Sequence, residues 1–287
     1  MRVLIFGGDG MLGHQLLRHL SSRYEVRVTL HRPIGEYSGA LFSDANALGG
    51  VDVRDADAIR RAVAECRPEA VINAAGVVKQ RNDAAAAAAS EEINATFPHR
   101  LAECCRESGA YLVHFSTDCV FSGRKGGYTE ADEPDPVDAY GRSKLQGEVT
   151  GAGCITLRTS MIGPELSRRT GLREWFLAQK GSAPGYRRAV FSGLTTPEQA
   201  RVVERILGRN PKMSGLYHLS GDAINKYELL RLVARHFNLA TSVEPDDALT
   251  IDRSLDSARF RADFGYRPPS WDEMIAELAQ LARGRVA

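Results

Sequence analysis

The first seventeen residues place the tightest constraint on the fold. An unbroken apolar run, Arg2-Val-Leu-Ile-Phe6, enters Gly7-Gly8-Asp9-Gly10-Met11-Leu12-Gly13, and an amphipathic stretch over residues 11–21 follows at once. A turn this short between a strand and a helix needs glycine for three separate reasons. Gly7 closes the tight turn, Gly10 lets backbone come close to a pyrophosphate, and Gly13 lets the helix lie against the strand. At the helix start, the amides around Met11 and Leu12 have no intrahelical acceptor, and the positive end of the helix dipole faces the same way. Such a unit is built to hold a phosphate group.

The pattern then repeats. Apolar strand candidates at 3–6, 25–30, 70–73, 111–115 and 154–157 are separated by helix candidates at 11–21, 56–66, 90–107 and 138–149. The alanine run at 84–89 reads as the entry to the third of these helices. Nearly continuous apolar strands alternating with helices predict an α/β chain, with a doubly wound parallel Rossmann sheet covered on both faces. Beyond about residue 160 the units shorten, punctuated by Gly163-Pro164, Pro184-Gly185 and Asn210-Pro211. Helices are expected at 172–180, 197–207, 227–237 and 271–282, with strands near 189–191 and 216–219. The chain therefore divides into a dinucleotide-binding half, 1–160, and a smaller α/β substrate region, 161–287, interleaved with it.

Charge narrows the partners. Lys+Arg total 37 against 36 Asp+Glu, a net charge of +1, whereas a dedicated nucleic-acid or membrane-surface binder needs an excess of basic charge. Five cysteines (Cys66, Cys104, Cys105, Cys119 and Cys154) include no C-x-x-C pair, so neither a disulfide framework nor a zinc site is expected. His14, His99 and His218 lack ligand spacing, and no metal is inferred. The beginning of the sequence resembles a strand rather than a signal peptide, and no apolar run approaches the length of a membrane span. The expectation is a soluble cytoplasmic protein, with a homodimer as the expected assembly.

In a sheet of this kind the tip of the second strand chooses the nicotinamide cofactor, a carboxylate taking a ribose hydroxyl and an arginine a 2′-phosphate. Here it reads Leu30-His31-Arg32-Pro33, with no acid before Glu36, which favours NADP(H) over NAD(H). Asp52 and Val53, at the next expected strand end, are placed to meet the adenine. Ala74, Ala75 and Gly76 are small where the chain must skirt ribose and pyrophosphate.

Tyr140 and Lys144 are four residues apart in a helical segment and so share one face. A cation beside a phenol lowers its pKa, and such a tyrosine can protonate a carbonyl oxygen as hydride arrives. Lysine is scarce, with only six in the chain against nine tyrosines. Chance would give roughly 0.2 such pairs, and position supplies the rest of the argument. The strand at 111–115 ends in Ser116-Thr117-Asp118-Cys119-Val120-Phe121, where the Thr117 hydroxyl can hold a substrate carbonyl.

Taken in order, the glycine turn, Asn73-Ala-Ala-Gly76, Ser-Thr-Asp-x-Val-Phe and Tyr-x-x-x-Lys resemble the extended short-chain dehydrogenase/reductases. More narrowly, the chain resembles the dTDP-4-dehydrorhamnose reductase family of nucleotide-sugar 4-ketoreductases. The likeness continues through Arg158-Thr-Ser-Met-Ile-Gly163 and Arg253-Ser-Leu-Asp256 to Trp271. It implies NAD(P)H-dependent reduction of the 4-keto group of a nucleotide-linked 4-keto-6-deoxyhexose, with a catalytic triad on Thr117, Tyr140 and Lys144. Related 4,6-dehydratases carry Thr-Asp-Glu where this chain has Thr117-Asp118-Cys119. The missing base argues for plain ketone reduction.

The substrate half is less explicit. Cys119, Trp175, Arg187 and Arg253 are candidate substrate contacts, and Arg168, Arg169, Arg173 and Arg188 are further phosphate candidates. The segment 77–83, where the family's loop reaches the sugar, does not match it residue by residue. Two alternatives stay open: an epimerase or dehydratase retaining tightly bound NAD+, and a non-catalytic NADP-binding regulatory subunit.

Overall fold

The structure is a computed structural model, and it describes residues 1–37, 39–77, 84–167, 169–209 and 213–284. Its first half runs β1 (Arg2–Phe6), α1 (Gly13–Leu20), β2 (Glu25–Thr29), β3 (Ala47–Leu48), α2 (Ala56–Cys66), β4 (Ala70–Asn73), α3 (Ala84–Glu91), α4 (Phe97–Ser108), β5 (Tyr111–Phe115), α5 (Ala139–Gln146) and β6 (Cys154–Arg158). The second half adds β7 (Met161–Ile162), α6 (Leu172–Leu177), β8 (Ser182–Tyr186), β9 (Ala189–Phe191), β10 (Leu194–Thr195), α7 (Thr196–Arg209), β11 (Gly215–His218), β12 (Ile224–Asn225), α8 (Lys226–His236), β13 (Ser242–Asp246), β14 (Ile251–Asp252), α9 (Ala258–Phe264) and α10 (Trp271–Arg283).

Seven strands form one sheet in the order β11-β6-β5-β4-β1-β2-β3, and every adjacent pair is parallel. Alternation along each strand feeds two cores. Val3 and Ile5 join Leu16, Leu17 and Leu20 of α1 and Val203 and Ile206 of α7. Leu4 and Phe6 face the other way, onto Ile59 and Val63 of α2 and Phe97 and Leu101 of α4. The doubly wound α/β expectation is thus borne out. Strand order reverses between β1 and β4, so their carboxyl ends open the crevice in which such sheets bind ligands.

Two of the expected elements form differently, and α9 and several short strands, β3, β8 and β13 among them, were not expected. The helix expected over 90–107 is interrupted by a π-helical turn at Glu92–Thr96 between α3 and α4. The strand expected near 216–219 belongs to the main sheet, where β11 pairs with β6. Three smaller sheets, β10-β7, β12-β9-β14 and β13-β8, complete the second half.

Candidate active site

A cleft of about 840 Å³ runs along the carboxyl ends of the central strands. Its floor at one end is the glycine turn. Gly7 has φ +87°, and a Cβ there would stand 2.8 Å from the Ala75 backbone; one on Gly13 would stand 2.0 Å from the Gly7 carbonyl oxygen. Only glycine fits either position, because both neighbours are main chain and cannot turn aside. No side chain caps α1, and the amides of Met11 and Leu12 make no backbone hydrogen bond among the described residues. Gly7, Gly10, Met11, Leu12, Ala74, Ala75 and Gly76 all line the cleft. This cradle of bare backbone and open amides fits a dinucleotide pyrophosphate.

His31, Arg32, Asp52 and Val53 line the same cleft beyond the turn. Arg32 lies over the Tyr37 ring, 4.6 Å from its centroid, with Glu36 3.8 Å from its Nη1. Asp52 is engaged by Arg54, whose Nη2 donates to Oδ2 over 2.6 Å, and this grip holds the carboxyl below its usual range. The sequence reading passed over Asp9, which lines the cleft within the glycine turn and accepts a 2.9 Å hydrogen bond from the Tyr37 hydroxyl.

The candidate catalytic groups gather where β5 ends and α5 begins. Asp138 caps α5, its Oδ1 accepting from the Gly141 amide over 2.8 Å, and thereby fixes the helix one residue before Tyr140. A Cβ on Gly141 would stand 2.2 Å from the Cys119 carbonyl oxygen, so α5 packs directly onto the turn carrying Thr117. Thr117, Tyr140 and Lys144 all line the cleft. The Thr117 Oγ1 donates to Asp118 (3.2 Å) and accepts from the Cys119 amide (3.1 Å).

The electrostatics correct one expectation. The Tyr140 phenol is pushed above its ordinary range by burial and by the neighbouring Cys119, Asp118 and Asp138, with a hydrogen bond to Thr117 acting the other way. Lys144 does not offset this. Its Nζ donates to the Phe115 carbonyl over 2.6 Å, and burial pushes it down to about 8. Burial likewise pushes the Cys119 thiol up to about 12 and raises Asp118. At neutral pH, Tyr140 therefore holds its proton, and Cys119 is a thiol rather than a nucleophile.

Asn94, which the sequence reading missed, ties the parts together from the π-helical turn. Its Oδ1 accepts from the Val77 amide (3.0 Å), and its Nδ2 donates to the Val77 carbonyl (2.9 Å) and to Ser143 Oγ (3.2 Å). It thus pins the start of the segment after β4 against α5. No periodic signal marks a π-turn, so its position was not readable from the sequence.

Residues 1–167 match the family described as the RmlD substrate binding domain. The chain belongs to this family. The match covers the half that carries the glycine turn and the triad, and it bears out the resemblance to nucleotide-sugar reductases read from the motifs. Among relatives, dTDP-4-dehydrorhamnose reductase of Burkholderia thailandensis is 29% identical over 235 residues, covering 77% of this chain and 72% of that protein. Methionine adenosyltransferase 2 subunit beta of Rattus norvegicus is 25% identical over 269 residues, covering 84% and 73%. Among solved structures, dTDP-4-dehydrorhamnose reductase from Bacillus anthracis, in complex with NADP, superposes with a TM-score of 0.79 at 21% identity, covering 96% of this chain and 98% of that one. This last likeness shows the fold.

The family match ends before most of the substrate candidates. Arg253, on the segment after β14, reaches the turn that follows Thr117: its Nε donates to the Phe121 carbonyl (2.9 Å), and its Nη1 lies 3.3 Å from Cys119 Sγ. Cys119 lines the cleft; Trp175, Arg187 and Arg253 do not. Trp175 is 38% exposed on α6, and Arg187 is paired with Asp247 on the surface. Their neighbour Arg173 does line the cleft. It is buried, paired with Glu174 and stacked 5.2 Å from the Phe237 ring centroid, and its Nε has no hydrogen-bond partner among the described residues. Arg168 and residues 78–83 of the sugar loop lie outside the described residues. Among those described, no group of three or more His, Cys, Asp or Glu is placed to hold a metal, and no helix is long and apolar enough to cross a membrane.

Proposed function

We propose that this chain reduces the 4-keto group of a nucleotide-linked 4-keto-6-deoxyhexose with NADPH. The observation that carries the reading is the convergence of Thr117, Tyr140 and Lys144 in the cleft that also holds the glycine cradle. Membership of the family and the reductases among its relatives support it. Gly7, Gly10, Met11 and Leu12 would hold the pyrophosphate, with Gly13 packing the helix beneath them, and Ala74, Ala75 and Gly76 would flank it. Asp52 and Val53 would border the adenine. His31 and Arg32 would receive the 2′-phosphate, which is the reason for preferring NADP(H).

When bound, the nicotinamide supplies hydride to the keto carbon. The residues do the remainder. Thr117 orients the carbonyl oxygen toward Tyr140. Tyr140, which holds its proton at neutral pH, donates it as negative charge develops on that oxygen. Lys144 brings positive charge to the chamber and stabilises the phenolate left behind. Arg253 and Cys119 would shape the wall against the sugar, and Arg173 would face the nucleotide.

The test is a screen of NADPH oxidation with dTDP-, UDP- and GDP-linked 4-ketosugars, in which one class should support turnover. The likeness to methionine adenosyltransferase subunit beta favours a second reading, a nucleotide-binding subunit without turnover. Absence of oxidation with every ketosugar, together with a stable complex with a partner enzyme, would select it.

A further inference from the structure

Behind the face of α5 that carries Tyr140 and Lys144 lies a buried ion pair that the reaction above does not use. Glu148 follows α5 immediately after Gly147, and Arg158 ends β6. Arg158 grips the carboxylate with two bonds of 2.8 Å, Nε to Oε1 and Nη2 to Oε2, and the two side chains are 4% and 9% exposed. Ser116 Oγ donates a third bond, 2.7 Å, to Glu148 Oε1. One carboxylate thus ties together the end of α5, the exit of β5 and the end of β6.

Ser116 stands between two residues of the site. Phe115 offers the carbonyl that accepts Lys144 Nζ at 2.6 Å, and Thr117 is the proposed carbonyl-orienting hydroxyl. A buried ion pair is a weak source of stability, since apolar residues of similar volume often hold a core as well or better. Its charge therefore invites another use.

We propose that Glu148 is a positioning residue: its carboxylate, clamped by Arg158 and Ser116, fixes the β5 exit, and with it the Phe115 carbonyl that holds Lys144, against the end of α5. The other ionisable groups nearby are neutral or engaged, Asp118 on the turn after β5 among them, its carboxyl raised by burial. On β5, His114 is held neutral by burial and by Lys144 itself. On β11, His218 is lowered by burial, and its Nδ1 meets the Tyr128 carbonyl at 2.9 Å. Glu130, in the segment before α5, accepts from the His218 amide over 2.7 Å. Arg158 is occupied by Glu148. Burial pushes Lys144 down to about 8, and Glu148 is the group that opposes the fall. The link from Lys144 to turnover rests on the reductase reading; its charge state does not.

The chain's six lysines make that charge state directly measurable, by 13C NMR of the full chain labelled at lysine Cε, with Lys144→Arg identifying the resonance. Glu148→Gln removes the charge and keeps the shape. Because it strands Arg158, the double variant Glu148→Gln with Arg158→Gln is measured beside it, and Glu148→Asp tests rescue. The Lys144 midpoint should fall by about one pH unit or more in Glu148→Gln, fall less in the double variant, where loss of the Arg158 cation acts the other way, and return toward the wild-type value in Glu148→Asp. The alkaline limb of NADPH oxidation should shift with it, in kcat more than in KM. A Lys144 midpoint unchanged in the folded Gln variants would overturn the proposal, whatever their thermal stability. A midpoint that shifts in a protein inactive on every ketosugar would support Glu148's role while removing the reductase reading.

Discussion

The Gly7 carbonyl oxygen and the α-carbon of Gly13 approach so closely that a Cβ on Gly13 would lie 2.0 Å from that oxygen. Turn and helix are therefore one rigid unit, and the amides that would receive phosphate are set by backbone packing alone. Gly13→Ala must push main chain apart, at a cost of about 1–3 kcal/mol or more. The expected result is a lower melting temperature, and no further stabilisation by NADPH. Gly10→Ala meets the Gly7 oxygen at 3.2 Å and should fold normally while binding NADPH more weakly. Wild-type NADPH stabilisation in Gly13→Ala would contradict this geometry.

Tyr140→Phe removes the proposed proton donor and little else, because the ring that lines the cleft is kept. Turnover should fall by on the order of 10²–10⁴-fold, with the affinity for NADPH, read by fluorescence titration, nearly unchanged.

The pH profile follows from Lys144. A buried lysine lowered to about 8 is charged below that pH and neutral above it. Reduction should hold roughly constant from pH 6 to 7.5 and then decline, approaching about tenfold per unit on the alkaline side. Initial rates of NADPH oxidation measure this directly; a rate still climbing at pH 9 would show that the ammonium is not required.

Arg32 should set the cofactor preference. Removing charge-assisted hydrogen bonds to a phosphate costs about 1.5–3 kcal/mol, so Arg32→Ala should raise the KM for NADPH roughly 10- to 150-fold. The KM for NADH should scarcely move. Equal effects on both cofactors would assign Arg32 to its contacts with Tyr37 and Glu36 instead.

What could be read in the sequence was what is local. The glycine spacing, the four-residue step from Tyr140 to Lys144 and the alternating apolar runs each express the period of one element, and those elements formed where expected. What could not be read depends on contacts between distant segments. Asn94 matters because a π-turn carries it to Val77 and Ser143, and Glu148 because it meets Ser116 and Arg158 from two other elements. The Tyr140 pKa followed the same rule: its helical partner Lys144 was visible, but the burial and the acidic neighbours that outweigh it were not. Arg187 and Trp175 were chosen by residue type, and folding turned Arg187 toward Asp247 and left Trp175 on the outer side of α6.

The pairing of β11 with β6 limits how members of this family can be recombined. A cut near residue 160 that discards everything after it would strip a strand from the sheet edge and leave β6 with open amides and carbonyls, inviting aggregation. Sugar preference should therefore travel with an exchanged carboxyl-terminal half only where the incoming seventh strand pairs with the host's β6. A functional chimera would take its foreign sequence as two grafts, one between β6 and β11 and one after β11, keeping the host's own seventh strand in place between them.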